Sequence, residues 1–203
     1  MEFISHRVNI KNELKSLNTT YGVEVDLRDD LTGRVYMQHD PFTEGEDFEE
    51  YLKAYQHGTM ILNVKSERIE HKILMLLKKY KINKYFFLDS SFPMIKLLSD
   101  EGEKNIALRF SEFEGLDTLK LMQGKVNWVW VDCFNKLPIN HEIYNKIKEM
   151  GYKTCLVSPE LQGQANKIEE YAQYIKKQNI IFDTICTKSY NIDKWINYLK
   201  EYK

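Results

Sequence analysis

Glu24 and Asp26 stand two residues apart in GVEVDL, a stretch otherwise apolar. In an extended strand, residues two apart share a face. Both carboxylates therefore point one way, and Val23, Val25 and Leu27 point the other. Two acids on one enclosed face repel each other, and each is costly to take out of water alone. A divalent cation removes both difficulties, and an all-oxygen donor set suits Mg²⁺ or Ca²⁺. Zinc is disfavoured because no cysteine or histidine cluster has its spacing. Two histidines close apolar runs nearby, His6 in ISHR and His39 in MQHDP. A pair of imidazoles beside a metal can act as general base and general acid near neutral pH. Arg7 and Lys65 are cations of the kind that hold a phosphate. His57, His71 and His141 fall in helical or loop contexts and read as surface residues.

The same phase recurs along the chain. MILNVK sets Asn63 and Lys65 opposite Leu62 and Val64. YFFLD ends in Asp89, IALRF carries Arg109, and WVWVD ends in Asp132. One face of each strand is apolar and the other finishes in a charged or amide group at the C-terminal end. Asp89, Arg109 and Asp132 are thereby candidate substrate-binding residues with Arg7 and Lys65. Polar residues at strand ends can also simply meet solvent, strand by strand, but a matched phase in five strands speaks for a common mouth. Phe42, Phe92, Phe113, Trp130 and Phe134 lie near these ends and suit either a pocket wall or plain packing.

The elements that must position these groups alternate. FISH, GVEVDL, MILNVK, YFFLD, IALRF, WVWVD, TCLVS and DTICT read as strands. Helix-length segments with a period near 3.6 follow nearly all of them, from DFEEYLKAYQ and ERIEHKILMLLKKY to a last helix containing WINYLKEYK. LTGRVYMQHD carries a Thr-Gly turn and reads as a hairpin arm inserted after the second strand. Alternation of this kind implies a parallel sheet, because each crossover needs a helix. The expectation is an α/β chain of the (β/α)8 TIM-barrel class, compact, with a hairpin after strand two and its chemistry at the C-terminal ends of the strands. A doubly wound open sheet is the alternative, disfavoured by the lack of a glycine-rich phosphate loop after any strand. With no linker, repeat or low-complexity tract, residues 1–203 read as one domain.

A net charge of −1 points away from nucleic acid and from a polybasic membrane anchor. No stretch approaches the roughly 20 apolar residues of a bilayer span. Glu2, His6 and Arg7 interrupt any signal-peptide core. Cys133, Cys155 and Cys186 lie far apart near apolar runs and read as reduced, buried thiols of a cytoplasmic protein. Oligomeric state is not legible.

In order and spacing, His6-Arg7, Glu24-Val25-Asp26 and His39-Asp40 resemble the glycerophosphodiester phosphodiesterase family, within the wider group of phosphatidylinositol-phospholipase-C-like barrels. LNVKSE is similar to that family's third-strand element. FFLDSSFP, LRFSEFE and WVWVDCF resemble a divergent branch associated with polysaccharides and capsules. The resemblance implies one divalent cation held by Glu24 and Asp26, with His6 and His39 as the catalytic pair and Arg7 and Lys65 on the phosphate. Where the family usually has a third acidic ligand, this chain has Asn63, which can ligate through its carbonyl oxygen without adding charge, or Asp89 can help. NIKNELKSLNTT stands where the family's Glu-Asn-Thr segment is usual. The implied activity is hydrolysis of a small phosphodiester: a glycerophosphodiester, or a glycan- or nucleotide-linked one. Two other readings stay open: a degenerate barrel that binds a phosphorylated ligand in polysaccharide biosynthesis, and a phosphatase or lyase using the same histidines.

Overall fold

The computed structural model describes residues 1–200. They divide into two compact units, one of Ile4–Asn105 and one of Met1–Phe3 with the chain from Ile106 onward.

The first unit holds, in order, β1 (Glu2–Ser5, of which Ile4 and Ser5 belong here), α1 (Lys11–Ser16), β2 (Gly22–Asp29), β3 (Val35–Met37), β4 (Glu46–Asp47), α2 (Phe48–Leu52), β5 (Met60–Val64), α3 (Glu70–Lys79), β6 (Tyr85–Leu88) and α4 (Phe92–Asp100). β1, β2, β5 and β6 pair in parallel. β2 runs on past its parallel partners and pairs antiparallel with β3, which pairs with β4. This is the hairpin expected after the second strand. Its turn is made by Asp30, whose carboxylate accepts the Thr32 N–H at 2.9 Å and the Arg34 Nε–H at 2.9 Å. Gly33 supplies the positive φ of +77° that the turn requires. At the start of β2 only glycine fits, since a Cβ on Gly22 would stand 2.3 Å from the Thr59 carbonyl oxygen.

Val23, Val25 and Leu27 are completely buried, as are Phe48, Ile61, Ile73, Phe86 and Phe87 around them. Both faces of β2 are enclosed from Val23 to Leu27, the apolar residues on one and Glu24 and Asp26 on the other. α2 is capped by the Asp47 carboxylate, which accepts the Glu50 N–H at 2.9 Å. It is half the length that DFEEYLKAYQ suggests, because the chain turns out of the helix after Leu52.

The second unit holds β7 (Ala107–Phe110), α5 (Leu116–Leu121), β8 (Trp128–Val131), α6 (His141–Glu149), β9 (Lys153–Val157), α7 (Ile168–Lys177), β10 (Thr184–Thr187) and α8 (Ile192–Leu199). Its four strands are parallel in sequence order. Glu2 joins them, donating its N–H to the Asp183 carbonyl at 2.9 Å. Trp195 of α8 is fully buried and donates its indole N–H to Ser158 Oγ at 2.8 Å. The last helix therefore packs inward through Trp195. The end of WINYLKEYK, Glu201 to Lys203, lies outside the described residues. The three cysteines are free thiols, all buried. No helix among the described residues is long and apolar enough to cross a membrane.

Candidate functional site

The first unit brings His6, Arg7, Glu24, Asp26, Asn63, Lys65 and Asp89 to the C-terminal ends of β1, β2, β5 and β6. Register does most of this. Asp26 pairs with Asn63 across β2 and β5. Side chains two apart share a face, so Glu24 and Asp26 on β2 lie on the side of Asn63 and Lys65 on β5.

Glu24 is the anchor. It is fully buried. One carboxylate oxygen accepts the Asn63 Nδ2–H at 2.8 Å, and the other accepts the Arg7 backbone N–H at 2.7 Å. Its main-chain carbonyl accepts the Val8 N–H at 2.9 Å. One residue thereby grips the loop after β1 through both backbone and side chain. His6 Nε2 lies 3.7 Å from the same Glu24 carboxylate. Burial, and then the nearby Asp26 carboxylate, push the Glu24 pKa up to about 7, against the opposing bonds from Asn63 and Arg7 and the charge of Lys65.

Asp26 is also buried. Asn9 holds it twice: its amide donates to the carboxylate at 2.9 Å, and its carbonyl accepts the Asp26 N–H at 2.9 Å. The Arg7 guanidinium is 3.5 Å away and the Lys65 ammonium 3.7 Å. Lys65 also sits 3.6 Å from Asp89. Arg7 and Asp89 both occupy the left-handed region, at φ +58° and +61°. For residues with a Cβ that conformation costs about 1–3 kcal/mol, and here it falls at two strand ends whose side chains meet the same cluster.

Two oxygens in this cluster, Asp26 Oδ1 and Asn63 Oδ1, are buried without a hydrogen-bond partner. An orphaned buried oxygen costs free energy. A hard cation ligated by both would remove that cost, together with the Glu24–Asp26 repulsion. Among the described residues no group of three or more His, Cys, Asp or Glu side chains is arranged to hold a metal ion. The donor set here is two carboxylates and one amide carbonyl, which fits an oxygen-seeking divalent cation and not zinc.

His39 follows β3. Its Nδ1 is 2.8 Å from the Asp40 carboxylate, which the bond to His39 holds below the usual range. A carboxylate on Nδ1 keeps the proton there and leaves Nε2 as the working nitrogen. Three supporting residues escaped the sequence reading. Asn9 braces Asp26, and Arg28 donates to the His39 and Lys65 carbonyls. Tyr51 of α2, fully buried, donates its hydroxyl to the Val8 carbonyl at 2.9 Å. Arg28 was within reach, since it continues the Glu24, Asp26 alternation by one more step. Asn9 and Tyr51 carry no such signal.

Tyr51→Phe strips the Val8 carbonyl of a buried donor. It should lower stability by about 1–3 kcal/mol, read as a shifted urea midpoint at constant slope. An unchanged midpoint would show that the bond does not hold the loop.

Arg109 and Asp132 lie in the second unit. Arg109 Nη1 donates to Asp132 at 2.6 Å. The buried Asp132 carboxylate also accepts from the Gln162 amide at 2.8 Å, the Cys133 N–H at 2.8 Å and the Trp130 indole at 3.2 Å. Asp132 is thus committed to donors of its own unit and braces Arg109. Trp130 is buried packing, whereas Phe113 and Phe134 form an exposed pair with ring centres 5.9 Å apart. Of the other histidines, His71 pairs with Glu101 at the surface and His141 bonds Gln178. His57 departs from the surface reading: it is half-buried, packs against Tyr55 and reaches the Leu17 carbonyl at 3.2 Å.

No family model and no curated protein matches the chain in sequence. Solved structures do match in fold. A candidate glycerophosphoryl diester phosphodiesterase of Agrobacterium tumefaciens C58 superposes with a TM-score of 0.70 at 12% identity, covering 100% of this chain and 98% of that one. A glycerophosphoryl diester phosphodiesterase of Parabacteroides distasonis gives 0.67 at 12% identity, over 98% and 86% of the two chains. A glycerophosphodiester phosphodiesterase of A. tumefaciens gives 0.65 at 12% identity, over 93% and 97%. The likeness spans the chain and carries the fold, the TIM-barrel class expected from the alternation of strands and helices.

Proposed function

We propose that the chain is a metal-dependent phosphodiesterase acting on a small diester of the glycerophosphodiester, glycan-linked or nucleotide-linked kind. The observation that carries the reading is the buried Glu24, Asp26 and Asn63 cluster with two orphaned oxygens. The fold neighbours, whose names are those of such enzymes, support it.

Charge supports it too. With Glu24 ionised, as a metal ligand must be, Glu24, Asp26 and Asp89 against Arg7 and Lys65 leave one negative charge. A divalent cation turns that into one positive charge, the complement of a phosphodiester monoanion. Glu24, Asp26 and Asn63 would hold the cation, which when bound polarises a phosphoryl oxygen and neutralises developing charge. Arg7 and Lys65 hold the phosphate oxygens and orient the diester. One imidazole takes the proton from the nucleophile, water or a neighbouring substrate hydroxyl, and the other gives a proton to the departing alcohol oxygen. Asp40 holds His39 in the tautomer that presents Nε2. His6, against Glu24, is the second imidazole.

The test is phosphorus NMR on glycerophosphocholine, a glycan phosphodiester and a nucleotide-linked polyol, with Mg²⁺, Ca²⁺ and Mn²⁺ varied. The diester signal should give way to a monoester or cyclic phosphate. A protein that binds these diesters but leaves every one intact with every cation is instead the degenerate binder that Asn63, standing in place of a third carboxylate, would suit.

A further inference from the structure

Arg28 sits on the face of β2 that carries Glu24 and Asp26, one alternation nearer the C-terminal end. It is half-buried. Its Nε and Nη2 both donate to the His39 carbonyl, at 3.2 and 2.7 Å, and its Nη1 donates to the Lys65 carbonyl at 3.1 Å. Those carbonyls belong to segments far apart in the chain, one after β3 and one after β5. The nearby backbone runs in step: the Lys65 N–H donates to the Leu27 carbonyl at 2.8 Å, and the Asp29 N–H donates to Ser66 Oγ at 3.2 Å.

We infer that Arg28 is a positioning residue that clamps the backbone of His39 to the backbone of Lys65, setting the distance between the acid–base imidazole and the phosphate-binding ammonium. The inference rests on the phosphodiesterase reading for its effect on rate. A guanidinium suits the task because its donors are fixed in one plane and can serve two carbonyls at once. A lysine ammonium keeps the charge but is a point donor on a flexible stem, and cannot hold both carbonyls in one geometry. Charge and clamp can therefore be separated by substitution. Were Arg28 present only to attract an anionic substrate, Arg28→Lys would preserve its role. As a clamp it would not, since small misplacements of reacting groups cost up to about 100-fold in rate.

The experiment compares the parent with Arg28→Lys and Arg28→Gln, using bis(4-nitrophenyl) phosphate with Mg²⁺ and ¹⁵N-histidine ring spectra. The expected result is a kcat lowered about 10–100-fold in both variants, with KM nearly unchanged. The His39 ring resonances should move while those of His6 stay. Parent-like His39 resonances in both variants overturn the inference, and so does a rise in KM alone with Arg28→Lys behaving as the parent. If the parent cleaves no diester, the phosphodiesterase reading fails, and the ring spectra still decide whether Arg28 holds His39.

Discussion

His39→Ala lowers the rate of diester cleavage by about 10²–10⁴ and leaves the thermal midpoint close to the parent's. The two halves of this expectation have separate origins. The His39 ring is 40% exposed and pairs with the carboxylate of its own neighbour Asp40, so little packing is lost with it. The rate falls because a positioned imidazole that exchanges a proton in the transition state has no substitute in bulk water at neutral pH. His6→Ala produces a loss of similar size. Its ring is only 17% exposed and stands beside buried Glu24, so this variant also costs some stability. Steady-state kinetics with urea melts on the same samples separate the effects. Folded variants that turn over at the parent's rate would remove both histidines from the mechanism.

Metal removal is the second large effect expected of the proposed site. Chelation should end turnover, and Mg²⁺ or Ca²⁺ returned to the chelated protein should raise its thermal midpoint. At a cation concentration about 100 times Kd the linkage is about 2.7 kcal/mol, roughly 5–10 °C for a chain of this size. Glu24→Gln lacks most of that rise. Asn63→Asp separates the electrostatic argument from a merely structural one. In the metal-free protein it exchanges the donor that Asn63 gives Glu24 for a third carboxylate, and stability falls through repulsion. With cation present the added charge becomes a ligand, so the cation-induced rise in midpoint exceeds the parent's. Full turnover in chelator, or a midpoint indifferent to both cations in parent and variant alike, would sink the metal site.

Much of this was legible in the primary structure because two periods carry it. The twofold alternation in GVEVDL and MILNVK places Glu24, Asp26, Asn63 and Lys65 opposite buried valines and leucines. The strand–helix rhythm implies parallel pairing, which is what β2, β5 and β6 do. The hairpin after β2 was readable from its Thr-Gly turn. Less legible was how long a helix runs, as α2 shows, since a helix end depends on what the chain packs against next.

The sequence by itself determined which residues could do chemistry and on which face of which strand they stand, because side-chain alternation is a local property of an extended backbone. It could not say that the Asp26 and Asn63 oxygens would be left without donors, that Asp132 would be consumed by four, or that Arg28 would tie His39 to Lys65. Those are matters of which distant segments meet, and in what register. Only the packed tertiary structure decides them, because side-chain hydrogen bonds such as Arg28 to the Lys65 carbonyl or Gln162 to Asp132 join separate segments and have no trace in the spacing of either.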